Sequence, residues 1–380
     1  GNATSYTYAE GINQIASDTD ALGQVTNSDS SSNTFDRAYE YDQIGNRKKS
    51  ADGALVTNGS SATVYDTNNL NQYSQISAPS VSSVVPIYDQ DGNATAYPLP
   101  VDPATNATLA YDGENRLISV TTGTTTVSYV YDSQSRRIAR TEGASTTIYL
   151  YDGWNCIAEY TRQNSSFNLH NSHTWGLDLS GSLQGAGGVG GLLATTKFPL
   201  PLGDGQGESA AYYATYDGNG NISEYMTASG TIAAHYQYDP FGRVIIAIGS
   251  NAADFGYRFS SKPVDLATAL YYYGFRWYNP YIGRWTSGDP IGESGGLNLL
   301  AFVKNRGVSK IDILGMEPNP GVDFSQELIV KKLDEIKKKY AYVSTLELHS
   351  DPKKDASKKC RLGRWEYIKA PEDQDAPWKD

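Results

Sequence analysis

Cysteine is nearly absent. The 380-residue chain holds two, Cys156 and Cys360, and two such distant cysteines make no disulfide framework and match no zinc spacing. No run of about 18 apolar residues occurs, so nothing reads as a membrane span. Charged residues are also scarce, at 19% against a usual quarter, and the imbalance is acidic. Residues 1–316 hold 18 Lys+Arg against 29 Asp+Glu, whereas residues 317–380 hold 13 of each. An acidic body is a poor match to a phosphate backbone, so it is expected to bind no nucleic acid. Gly1 begins no signal peptide, and the expectation is a fragment or processed product, whose missing signal says nothing of destination. No cofactor or metal is expected.

Tyrosine and glycine fill the space these residues leave, with 29 Tyr against 9 Phe, and 37 Gly. A tyrosine buries its ring but needs a partner for its hydroxyl, which predicts a core lined with polar groups. Abundant Ser, Thr, Asn and Gly argue for strands and turns. Length alone suggests two or three domains.

The tyrosines are periodic. Tyr-Asp recurs at Tyr41, Tyr65, Tyr88, Tyr111, Tyr131, Tyr151, Tyr216 and Tyr238, at steps of 24, 23, 23, 20, 20, 65 and 22 residues. The longest step is close to three ordinary ones. The fuller unit is YxYDxxGxR: YEYDQIGNR from Tyr39, YVYDSQSRR from Tyr129, YLYDGWNCI from Tyr149, YQYDPFGRV from Tyr236. Tyrosines at i and i+2 share one face of a strand. Asp, followed three residues on by Gly, is turn chemistry, and the residues after it start a return strand. The unit is therefore a β-hairpin plus a connection, and stacked hairpins predict one long sheet, coiled or wrapped.

This array resembles the YD-repeat (RHS-repeat) family, which includes bacterial Rhs toxins, insecticidal toxin complex C components and animal teneurins. The resemblance covers residues 1–316. It implies a mainly β fold in which YD hairpins form a spiralling sheet, a hollow shell or cocoon. Residues 160–212 interrupt the period with HTWGLDLSGSLQGAGGVGGLLA. Gly185-x-Gly187-x-x-Gly190 matches a dinucleotide fingerprint on paper, but LLATTKFPLPLGDG runs into prolines where a helix should follow. The resemblance instead implies a glycine-rich turn in the shell wall. His170 and His173, three apart with no third ligand nearby in sequence, read as ordinary loop histidines. From residue 254 the pattern changes to Tyr271-Tyr272-Tyr273 and then turns at Asn279-Pro280 and Gly283, another hairpin. Arg276 is placed to stack on Trp277 and Trp285, and the aromatics read as core packing.

Residues 289–316, DPIGESGGLNLLAFVKNRGVSKIDILGM, resemble the carboxy-terminal signature of the RHS core, DPxGxxGGxNxYxYxxNxPxxxxDPxGL. In bacterial members that signature marks an aspartyl protease acting in cis, which cuts behind its final Leu. Carried over, Asp289 and Asp312 match the two catalytic aspartates, Met316 the residue before the cut, and Glu317 the residue after it. Peptide hydrolysis without metal, Ser or Cys needs a base for water and an acid for the leaving amine, and two carboxylates sharing one proton supply both. The fold must bring the pair together across 23 residues, with Gly295-Gly296 read as allowing close backbone approach. The chain departs from the pattern at Ile313 and Gly307, where the family has Pro. Leu300-Ala301-Phe302 replaces Tyr-x-Tyr, Met316 replaces Leu, and Gly288 precedes the first aspartate.

Beyond EPNPG the rhythm stops. Asp323 reads as an N-cap with Gln326 after it, and Phe324, Leu328, Leu333, Ile336 and Tyr340 fall on one helix face. YVSTLELHS and RLGRWEYI read as strands, giving a small α+β tail. His349, Asp351, Lys353 and Cys360 make no spacing above chance, and the tail reads as structural or truncated cargo rather than a complete catalytic toxin. The expected organisation is 1–270 repeat shell, 271–316 plug with the protease motif, and 317–380 variable cargo. The resemblance implies a secreted or cell-surface protein that encloses its own C-terminal segment and cuts it free after Met316. The partners it implies are that segment, an immunity protein and an N-terminal delivery module. The rival expectation is a cell-surface adhesion protein, teneurin-like or wall-associated, without cleavage.

Overall fold

A computed structural model describes residues 5–9, 14–19, 37–52, 62–79, 82–163, 166–199, 208–308 and 310–316. The tail, with its expected helix, strands and candidate residues, lies outside them, as does Glu317. Gly1–Val322 forms one compact unit. Among the described residues helix is confined to three short 3-10 turns, Phe259–Ser261, Gly292–Ser294 and Val303–Asn305. None is long and apolar enough to cross a membrane.

The body is mainly β, as expected, but the repeat array is two sheets rather than one. A six-stranded antiparallel sheet orders Gln14–Thr19, Ser5–Ala9, Arg37–Tyr41, Arg47–Asp52, Thr63–Thr67 and Tyr73–Ser77. A fourteen-stranded antiparallel sheet then runs in strict chain order from Ile87–Tyr88 to Val244–Ile248. Between them Ile76 and Val84 make an isolated bridge. Pro79 and Pro86 flank this break, and a proline has no N–H to continue a ladder.

Six of the eight repeat turns share one construction. Asp42 accepts the amides of Ile44 and Asn46 on Oδ1 and the side-chain amide of Asn46 on Oδ2. Gly45 takes the positive φ, +86°. Asp89, Asp112, Asp132, Asp217 and Asp239 repeat the arrangement. Where Gly is missing, Asn115 and Ser135 adopt the left-handed conformation instead. The turns then link sideways: Asn46 donates to Asn71, Asn93 to Asn115, and Arg116 to the Asp132 carbonyl. In one of the other two, after Tyr65-Asp66, the turn is capped by Asn68, which holds the amides of Leu70 and Gln72, so the Asp of that pair is not the turn residue.

The two tyrosines of the unit do different work. The first is buried in the core, as at Tyr39, Tyr129 and Tyr236. The second sits at a β-bulge, and at Tyr131, Tyr151, Tyr216 and Tyr238, though not at Tyr41, its hydroxyl donates to a carbonyl of the previous hairpin. Tyr131 reaches Leu117 at 2.6 Å, Tyr151 reaches Arg137 at 2.8 Å and Tyr238 reaches Ile222 at 2.8 Å. The hydroxyls of Tyr41, Tyr73 and Tyr97 accept and donate no hydrogen bond among the described residues, whereas these stitch hairpin to hairpin through backbone carbonyls. Removing one, as in Tyr151→Phe, is expected to cost about 1–2 kcal/mol because a carbonyl is left unpaired, read as a lowered urea midpoint with an unchanged slope.

The plug residues pack against the array. A small sheet of Tyr271–Tyr272, Trp277–Asn279 and Arg284–Trp285 faces two hydrophobic clusters by strand alternation. Trp277 and Tyr272 join the cluster of Tyr97, Leu109 and Leu117, with Trp277 4.5 Å from the Tyr129 ring. Tyr278, Trp285 and Phe302 centre the other, with Tyr278 stacked on Phe302 at 4.1 Å. Buried arginines lie on the tyrosines: Arg47 over Tyr39, Arg137 over Tyr149, Arg284 over Tyr73, a polar lining of the kind the tyrosine count predicts.

Candidate functional site: two aspartates on one arginine

Arg276 occupies the turn between the first two strands of the small sheet and is 2% exposed. Its guanidinium lies 4.2 Å above the Trp285 ring, as the sequence suggested, while Trp277 takes Arg137 instead. One of its terminal nitrogens, Nη2, is 2.9 Å from Asp289 Oδ2 and 3.5 Å from Asp312 Oδ2. The fold therefore brings Asp289 and Asp312 to one place, with the guanidinium between them. Nε donates to the Gly315 carbonyl and Nη1 to the Leu299 carbonyl, which fixes the fork.

Asp312 clasps the chain that follows it. Its Oδ1 accepts the amides of Leu314 at 3.1 Å, Gly315 at 2.6 Å and Met316 at 3.1 Å. Its Oδ2 accepts no hydrogen bond among the described residues. Burial raises its pKa above its ordinary value, against the pull of Arg276, the Met316 and Gly315 amides and Lys262. Asp289 also caps a turn, accepting the Ile291 amide at 3.0 Å, and its side chain is 5% exposed.

The segment up to Met316 is held at every step. Lys262 Nζ donates to the Ile313 carbonyl at 2.6 Å and the Gly187 carbonyl at 2.7 Å. The Phe275 amide donates to the Leu314 carbonyl at 3.0 Å. Burial lowers the Lys262 pKa to about 8, against the pull of Asp312 and Asp178. Gly187, from the interrupting glycine-rich stretch, lies so close that a Cβ there would be 2.4 Å from the Ile313 carbonyl oxygen. That stretch forms turns followed by the strand Leu192–Lys197, with no helix, so the dinucleotide reading is out and the stretch is a glycine-rich turn. Close approach is made there and not at Gly296, whose nearest neighbour would be the Lys304 side chain at 3.7 Å.

Several motif residues prove structural. Asn298 donates to Asn46 and Asn305 to the Gly45 carbonyl, tying the plug to a repeat turn. Gly307 replaces the family proline because the Pro240 carbonyl oxygen lies 2.2 Å from where a Cβ would stand. Sequence reasoning found both aspartates but not Lys262, Gly187 or the bridging role of Arg276. His170 and His173 lie on the strand Ser166–Trp175 rather than in a loop.

Hairpins capped by Asp and stitched by Tyr, packed against an aromatic plug, make a mainly β array of YD repeats. The RHS Repeat family matches residues 216–252. The toxin subunit YenC1 of Yersinia entomophaga is 38% identical over 96 residues, 24% of this chain and 10% of the relative. The tRNA3(Ser)-specific nuclease WapA of Bacillus spizizenii is 29% identical over 285 residues, 72% of this chain and 10% of the relative. Among solved structures, TcdB2-TccC3 without its hypervariable C-terminal region is similar with a TM-score of 0.48 and 19% identity, over 82% of this chain and 17% of that one. The match to the RHS Repeat lies within residues 216–252, and the chain spans about a tenth of the length of these curated relatives.

Proposed function

We propose that this chain is the C-terminal part of a secreted RHS shell that encloses the segment beyond Met316 and frees it by cutting the Met316–Glu317 bond. The observation that carries the reading is Asp312: it shares Arg276 with Asp289 while its other oxygen clasps the three amides that lead to that bond. Asp289, beside the guanidinium, is the base. It takes a proton from water, whose oxygen attacks the Met316 carbonyl carbon. Asp312, whose pKa burial raises, is the acid. It gives its proton to the Glu317 nitrogen as the C–N bond breaks, leaving a Met316 carboxylate and a free amine. Enzyme and substrate are one chain, so positioning supplies much of the rate.

The wild type is expected to yield a peptide beginning EPNPGVDF on mass spectrometry of the denatured chain. Asp289→Asn and Asp312→Asn each remove one proton-transfer role and are expected to slow cutting by about 10²–10⁴-fold, leaving an intact chain. Cutting that persists in both would overturn the assignment. Because Asp312 acts as an acid, the rate should fall as pH rises through its raised pKa. The same shift gives a stability trend. Folded Asp312 holds its proton to higher pH than unfolded, so its contribution is full below the ordinary carboxylate range and lost as pH rises through the folded value.

A further inference from the structure

A second cluster lies in the fourteen-stranded sheet. Cys156 and Glu159 are on the strand Asn155–Gln163, and His173 is on its neighbour Ser166–Trp175. Spaced three apart, Cys156 and Glu159 would point to opposite faces of a regular strand. The pairing shows why they do not. Leu150 pairs with Ala158 and Tyr151 with Cys156, which leaves Ile157 as the extra residue of a bulge, and a bulge flips the parity. Glu159 pairs with Asn171, so His173 is its diagonal neighbour on the same face. The Cys156 thiol, a Glu159 oxygen and a His173 ring nitrogen therefore all lie within 4.8 Å of one another.

The imidazole and the carboxylate are each oriented from behind. His173 Nδ1 is 3.0 Å from Thr195 Oγ1, leaving Nε2 facing Glu159 Oε1 at 3.1 Å. Glu159 Oε2 accepts from Asn171 at 2.8 Å. Burial raises the Glu159 carboxyl's pKa, but the His173 and Asn171 hydrogen bonds together with the charges of His173 and His170 outweigh it and bring the carboxyl down to about 2, while burial pushes the Cys156 thiol up. A thiol, an imidazole with its other nitrogen held by a hydroxyl, and a hydrogen-bonded carboxylate are the donor types and outer partners of a zinc site.

We propose that Cys156, Glu159 and His173 bind one divalent ion of the zinc class. Binding breaks the S–H bond, releases that proton to solvent and forms a sulfur–metal bond, with no change of oxidation state. A thiolate, a carboxylate and a neutral imidazole then cancel the charge of the ion, as a buried site requires. The donors need to close by about 1 Å to meet a tetrahedral ion, within reach of side-chain rotation, and water takes the fourth position.

Cobalt(II) and zinc(II), added separately to the full chain, test this. The wild type should take up one equivalent of cobalt with a sulfur-to-cobalt charge-transfer band, which zinc removes. Cys156→Ser should abolish the band, Cys360→Ser should keep it, and His173→Gln and Thr195→Val should each weaken affinity about 10–100-fold. No band in the wild type, a band kept by Cys156→Ser, or a band lost with Cys360 instead would overturn the proposal. His173→Gln, which keeps the thiol, decides the matter should Cys156→Ser fail to fold, since unchanged affinity there also overturns it.

Discussion

Arg276→Met is expected to give a chain that is about 3–5 kcal/mol less stable and does not cut. Removing one partner of a buried ion pair leaves the other charge uncompensated, and here two carboxylates share the one guanidinium. The same substitution frees the Gly315 and Leu299 carbonyls, so the segment leading to Met316 loses an anchor as the aspartates lose their bridge. Arg276→Lys separates these effects. It keeps a positive charge but not a planar fork, and a single ammonium cannot serve Asp289, Gly315 and Leu299 together. It should therefore recover part of the stability, read as the urea midpoint, while cutting stays slow on a denaturing gel. A methionine variant that cuts at the wild-type rate would show that the guanidinium does not organise the aspartates.

What was legible in the sequence was what is local. The repeat unit carries its own turn chemistry, so Asp42, Asp132 and Asp239 could be read as turn residues from spacing, and their hydrogen bonds follow. The bonds from Tyr131 to Leu117 and from Tyr151 to Arg137 were also within reach, because each closes within 14 residues. The break between the two sheets was not read, although Pro79 and Pro86 announce it, because the Tyr-Asp period runs through it without a change of step. Asp66 misled for a related reason: the dipeptide kept its place while the capping role moved to Asn68.

The candidate site was half legible. Asp289 and Asp312 stand in a motif, so their meeting could be expected. Arg276 and Lys262 stand in none, and they reach the site through the small sheet and the turn at Phe259–Ser261, contacts that no spacing encodes. The Cys156, Glu159 and His173 cluster was hidden further. A bulge at Ile157 reverses the face of one residue, and strand alternation read from sequence assumes no bulge.

Gly187→Ala tests whether the interrupting stretch belongs to the site. Gly187 has a φ of +62°, and an alanine Cβ would stand 2.4 Å from the Ile313 carbonyl oxygen and 2.5 Å from its Cγ2. The conformation costs about 1–2 kcal/mol for an L residue, and forcing a methyl into a closed contact adds about 1–3. The backbone of Ile313 must yield, since Lys262 holds both it and Gly187. A shift of about 1 Å at Met316 is expected to slow cutting by about 10²-fold with both aspartates in place. Gly181→Ala is the control. Gly181 also has a positive φ, +74°, but nothing lies within 4 Å of its Cβ position. It should lose the conformational 1–2 kcal/mol and cut at the wild-type rate. Equal rates in the two variants would mean that the glycine contact shapes the wall alone; a slow Gly187→Ala beside a normal Gly181→Ala would place the glycine-rich turn in the clamp that presents Met316 to the aspartates.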